Sequence, residues 1–119
     1  MKITRIYADT EGESHFEEIE VEGQISERGF LGGPFDVKHL ILRETPGSSV
    51  QDWHVAPYKV YVVLLTGTVE VEVSSGEVRL FEAGDVLLAE DTFGRGHKTT
   101  TLSQGTRKSL FITVNESSV

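Results

Sequence analysis

Two stretches of the chain concentrate side chains able to do chemistry. The first runs Asp52-Trp53-His54-Val55-Ala56-Pro57-Tyr58-Lys59-Val60-Tyr61 and on to Gly67. The second runs from Ala83-Gly84-Asp85 through Glu90-Asp91-Thr92-Phe93-Gly94-Arg95-Gly96-His97. On an extended strand alternate residues share a face, so Asp52 is expected beside His54 and Trp53 on the opposite side. Trp53 is read as a packing aromatic, with a dimer contact as the alternative. Glu90 and Asp91 form an acidic pair ahead of two loop glycines. Glu90 is a candidate general base if it turns inward, because a desolvated carboxylate has a raised pKa. Asp91 is expected to bond its own backbone as turn formers do. Gly94 and Gly96 suit a flexible lid. Tyr61 needs a partner for its hydroxyl and either donates into a pocket or belongs to the core. Arg43 either meets an anionic ligand or pairs with Glu44 or Asp52. His15 and His39 stand in no motif and are expected at the surface or the edge of the core.

These two stretches resemble the cupin family, small β-barrels that carry one motif on each of two neighbouring regions. His54 falls on the first histidine of the first motif and Gly67 on its closing glycine. Gly47 lies one residue out of register with the opening glycine. Gly84, Gly94 and His97 fall on the second motif, with a longer loop and Thr92 in place of its proline. The resemblance extends to a group of short single-domain bacterial cupins. It implies that His54 and His97 face one cavity. It also implies a metal held by three histidines and a glutamate, but Ala56 occupies the second histidine position and Val60 the glutamate position. The metal-binding motif is thus degenerate. Three protein ligands are the usual minimum for a metal centre. Asp52 is the candidate third ligand, completing a two-histidine, one-carboxylate set that would suit iron, manganese, nickel or zinc. Glu90 and His15 are further candidates. With half of the ligand positions lost, no cofactor is expected.

The elements that must position these residues are strands. Val69, Val71 and Val73 alternate with Glu70 and Glu72, predicting a strand with one wet face. Ser74-Ser75-Gly76 turns it into a second strand over Glu77 to Phe81. Val60 to Leu65 is apolar throughout and is read as a strand buried on both faces. Val86 to Ala89, Val37 to Arg43 and Lys108 to Val114 are further strands, and Ile3 to Tyr7 and His15 to Val21 weaker ones. Ser26 to Pro34 is read as a long loop whose Phe30 and Leu31 pack down. Short strands separated by frequent turns, with 12 glycines, predict an all-β fold with little or no helix. The resemblance makes it a double-stranded β-helix, or jelly-roll barrel. At 119 residues the chain has the length of one domain. Residues 1–35 form N-terminal strands and an acidic arm, residues 36–114 the barrel core, and residues 115–119 a frayed tail.

Eleven basic against 19 acidic residues give a formal net charge of -8. Residues 9–27 hold eight acidic residues and no Lys or Arg, so the rest of the chain is formally neutral. That acidity disfavours nucleic acid and anionic membranes as partners. The absence of cysteine removes disulfides, thiolate metal sites and cysteine nucleophiles. No apolar run reaches the roughly 18 residues of a membrane span, and no apolar segment near Met1 marks a secretory signal. The expected location is therefore the cytoplasm. The expected function is binding of a small molecule in the barrel mouth, with His54, His97, Tyr61 and Arg43 as ligand contacts. The alternative is an enzyme. It would be a metal-dependent oxygenase or isomerase with atypical ligands, or a metal-free isomerase or epimerase using His54, His97, Glu90 or Tyr61. A homodimer is expected, with residues 3–21 exchanged between copies.

Overall fold

The computed structural model describes residues 1–114; the tail expected at 115–119 lies outside the described residues. Alternating Val and Glu residues become Thr68–Val73 (β8), after seven strands that precede it: Lys2–Ala8 (β1), Ser14–Glu20 (β2), Gly23–Ser26 (β3), Gly29–Gly32 (β4), Val37–Thr45 (β5), Val50–His54 (β6) and Val60–Leu64 (β7). Val78–Glu82 (β9), Val86–Ala89 (β10), His97–Thr101 (β11) and Arg107–Val114 (β12) follow. No helix occurs among the described residues, and so none that is long and apolar enough to cross a membrane.

Two sheets carry the site. One has six strands in the order β2-β1-β10-β7-β12-β5, and the other four in the order β6-β11-β8-β9. All neighbours are antiparallel except β1 and β10, which pair in parallel from Thr4–Leu87 to Ile6–Ala89. The core follows from the period of two. Val69, Val71 and Val73 turn inward with Phe81, and meet Ile6, Phe16 and Leu64 from the other sheet, while Glu70 and Glu72 face out. Each such side chain contributes about 1.5–3 kcal/mol when fully buried. A second cluster comprises Ala56, Val60 and Ala89, with Val62 and Phe111 packed against it.

Three expectations are corrected. The stretch 26–34 is no long loop: Gly23–Ser26 and Gly29–Gly32 pair as a hairpin that forms its own two-stranded sheet. Arg28 N–H donates to Ser26 Oγ at 3.1 Å across its two-residue turn. Phe30 and Leu31 remain exposed rather than packing down. The strand Val60–Leu64 is central in its sheet, yet only its end residues are buried. One face lines an open cavity and the other is part-exposed. Residues 3–21 form β1 and β2, which pair with each other, and β1 joins β10. The segment that stands apart is the β3–β4 hairpin.

Candidate functional site

A cavity of about 480 Å³ lies between the two sheets. Its apolar wall comes from alternate inward residues: Val60, Val62 and Leu64 on β7, Leu87 and Ala89 on β10, and Val69 and Val71 on β8. Besides Gln51, Tyr58, Asp85 and Thr99, two pairs of polar side chains interrupt that wall. One is the histidine pair, and the other is a pair of arginines, Arg43 on β5 and Arg107 on β12.

His54 ends β6 and His97 opens β11, and the two are direct cross-strand partners. Their rings lie 4.5 Å apart, centre to centre, inclined at 59°. Each ring is oriented through Nδ1. His54 Nδ1 lies 2.7 Å from the Asp52 carbonyl oxygen. A carbonyl only accepts, so Nδ1 carries the proton and donates it. His97 Nδ1 lies 2.6 Å from Asp91 Oδ2 and donates to that carboxylate. With Nδ1 as the donor, each imidazole in its neutral form keeps Nε2 as an acceptor. Burial is the main force holding His54 below the usual imidazole value. The neighbouring His97 and Arg43 add to it, against the Asp52 carbonyl and the Asp91 charge.

The expectation that Asp91 only forms a turn is corrected. Asp91 is fully buried, bonds His97, and its backbone carbonyl accepts from Ala56 N–H at 3.0 Å. Sequence reading missed this role because the residue lies on a loop, where no periodicity reports direction. The loop glycines, read as suited to a flexible lid, are closely packed. Gly94 and Gly96 have φ of +86° and +73°. A Cβ on Gly94 would lie 2.3 Å from Gly12 O, and one on Gly96 2.1 Å from His54 O. Gly96 O accepts from Ser14 Oγ at 2.6 Å. These glycines permit close backbone approach, which seats His97 beside His54.

The three-ligand metal set is not assembled. Asp52 stands outside the cavity lining, is exposed, and its Oδ1 accepts from Trp53 N–H at 2.9 Å. His15 turns away to Asp9, 2.8 Å from its Oδ2, and stacks near Tyr7. His39 is exposed. Among the described residues no three His, Cys, Asp or Glu side chains converge as metal ligands. Two imidazoles alone do not fit the metal that the motif resemblance implied.

Glu90 and Tyr61 also lie outside the lining. Glu90 Oε1 is 2.7 Å from Arg5 Nε, in an ion pair whose angle is not that of a hydrogen bond, and Oε2 is 3.4 Å from Lys59 Nζ. Tyr61 alternates with Val60 and Val62 and so faces away from the cavity. Its hydroxyl pKa is raised, first by burial and then by the Glu90 charge. Neither is placed to be a cavity base or ligand contact. Trp53 is 43% exposed rather than packed. Arg43 makes no ion pair with Glu44 or Asp52; its guanidinium lies 5.1 Å from the centre of the Phe111 ring. Arg107 was missed altogether. The available signal was its phase: Arg107, Ser109 and Thr113 share the buried face of β12.

No family model matches the sequence, and no curated protein does. The solved structures are informative. A Cupin 2 conserved barrel domain protein from Salinispora arenicola CNS-205 superposes with a TM-score of 0.52 at 16% identity, covering 81% of this chain and 83% of that one. The cupin domain of Schizosaccharomyces pombe Cnp3 gives 0.52 at 12% identity, covering 86% and 73%. The conserved SPY1581 protein of unknown function from Streptococcus pyogenes gives 0.50 at 16% identity, covering 64% of this chain. This chain spans 62% of that neighbour, less than two thirds of its length. At such identities the likeness bears on fold alone: the two-sheet barrel is a cupin fold.

Proposed function

We propose that this cupin-fold chain is a cytoplasmic protein that binds a small molecule in the barrel, without the usual full set of metal ligands. The observation that carries this reading is the cavity of about 480 Å³, which is in the size range of ligand pockets. It has the expected composition, an apolar wall with a few polar groups. His54 and His97 offer Nε2 acceptors at one place, and Arg43 and Arg107 offer donors at another. A ligand-observed NMR screen of apolar fragments tests the reading, with Leu87→Trp filling the cavity. Fragments that bind the unaltered chain and are released by Leu87→Trp are expected. Binding unaffected by the filled cavity would count against it.

The His97–Asp91 pair favours a second reading, a metal-free isomerase or epimerase. An imidazole held by a buried carboxylate beside a second imidazole with a depressed pKa is an arrangement suited to moving a proton between two positions of a substrate. Exchange of solvent deuterium into a bound ligand, lost in His97→Gln, would select this reading over simple binding.

The protein is further proposed to act as a homodimer. The β3–β4 hairpin pairs with neither large sheet and exposes Ile25 (86%) and Leu31. The same chain exposes Leu40 and Leu42 on β5 and Val50 and Trp53 on β6, each an edge strand. These exposed apolar residues support an interface between two copies of the chain. The acidic Glu22 and Glu27 flank the hairpin strands, and Lys38 lies on β5. Light scattering is expected to give twice the chain mass; a monomer at micromolar concentration would refute the dimer.

A further inference from the structure

The arginine end of the cavity has no use in orienting the histidines, and its chemistry is unbalanced. Arg107 is only 6% exposed, and its Nε is buried without a hydrogen-bond partner among the described residues. Neither Arg107 nor Arg43 forms an ion pair among the described residues. The two charges are close enough that Arg43 joins burial in lowering the Arg107 pKa. The one carboxylate in the lining is Asp85, whose Oδ2 instead accepts from Glu82 N–H at 2.8 Å. Two hydroxyls on the arginines' own strands are also buried and unpartnered: Thr45 Oγ1, and Ser109 Oγ, which stands outside the cavity lining. Thr45 is the cross-strand partner of Arg107, and Ser109 that of Arg43. A smaller cavity of about 200 Å³ adjoins the first, and the same two arginines line both.

A buried guanidinium without a counter-charge is costly. Beside the buried Arg107, the exposed Arg43 brings a second guanidinium to the same cavity wall, and with the spare Thr45 hydroxyl the two form a receptor for an anion. Guanidinium groups match a carboxylate by paired, charge-assisted hydrogen bonds. The rest of the wall, Ile41, Val62, Leu87 and Phe111, asks for an apolar body. We infer that the cavity takes a carboxylate with an apolar tail, its charged group held by Arg43 and Arg107. This inference rests on the reading that the barrel binds a small molecule, and adds the ligand's charge and the residues that hold it.

The test uses the full chain and a series of straight-chain carboxylates from butanoate to decanoate, each against its primary amide. Calorimetry gives both affinities, and the Arg107 Nε–H resonance reports the site in the unaltered protein. At least tenfold tighter binding of the best carboxylate than of its amide is expected, with the Nε–H signal moved by the carboxylate alone. Arg43→Gln, a change at an exposed residue, is expected to fold and to bring that ratio below threefold while amide binding persists. Arg107→Gln should do the same where it folds. Equal binding of carboxylate and amide would overturn the anion site and leave the binding cavity standing. Binding of neither series would overturn both.

Discussion

Asp91 Oδ2 and His97 Nδ1 are 2.6 Å apart, and the carboxylate is wholly buried. The second oxygen, Oδ1, has no hydrogen-bond partner among the described residues. The carboxylate therefore serves chiefly to fix one imidazole, by accepting its Nδ1–H and leaving Nε2 for the cavity. Asp91→Ala leaves that buried donor unanswered, which costs about 1–3 kcal/mol. Asp91→Asn keeps a carbonyl oxygen in place and is expected to lose less. Urea unfolding gives the stabilities, and nitrogen chemical shifts of the His97 ring give the tautomer. An alanine variant as stable as the parent, with Nδ1 still protonated, would show that the pair orients nothing.

Gly96 sets the distance between the two imidazoles from the backbone side. A Cβ there meets His54 O at 2.1 Å and His54 C at 2.4 Å, backbone atoms that cannot rotate away. Gly76 is the control, because its φ of +105° is equally unsuited to a side chain but nothing lies within 4 Å. Gly76→Ala is expected to cost the backbone strain of about 1–2 kcal/mol. Gly96→Ala is expected to cost more and to shift the His54 and His97 ring signals, which Gly76→Ala leaves in place. Equal losses by thermal unfolding would mean that the loop relaxes around the added methyl.

These two positions show where the sequence was readable and where it was not. Strands with a strict period of two, such as Val69 to Val73, declared their buried face. The cross-strand meeting of His54 and His97 was implied by motif resemblance, and the pairing of β6 with β11 realises it. Asp52 shared a strand with His54, but its side chain caps the next backbone N–H instead of entering the cavity. Asp91, Gly94 and Gly96 sit between strands, where direction depends on long-range partners such as Gly12 and Ser14. Glu90 follows the same logic, since Arg5 and Lys59 claim it from distant parts of the chain.

The pH dependence of stability follows from His54. Its folded pKa is depressed below the ordinary 6.5, so the unfolded chain binds the proton more readily. Stability contributed by neutral His54 is then fully present above about pH 6.5 and is lost as pH falls from there toward the folded value. Urea midpoints measured across that interval are expected to rise with pH. His54→Gln, which cannot titrate, should flatten that part of the profile. A ring titration of His54 at or above 6.5 would contradict the argument.

The reading of the metal motif as degenerate can be tested by supplying the histidine it lacks. Ala56 lies two residues beyond His54, is buried, and lines the cavity at the position where the resembling motif carries its second histidine. Two imidazoles give a weak, open-sided site, whereas a third within the same wall approaches the three-ligand centres that hold zinc. After dialysis against equimolar zinc, the unaltered chain is expected to retain well under one metal per chain and Ala56→His close to one. Cobalt in place of zinc should then give the visible bands of a four-coordinate ion only in the variant. Circular dichroism checks that the buried substitution has left the sheets intact. Stoichiometric zinc in the unaltered chain, lost in His54→Gln, would mean that a further ligand joins the histidine pair, and the degenerate reading of the motif would fall.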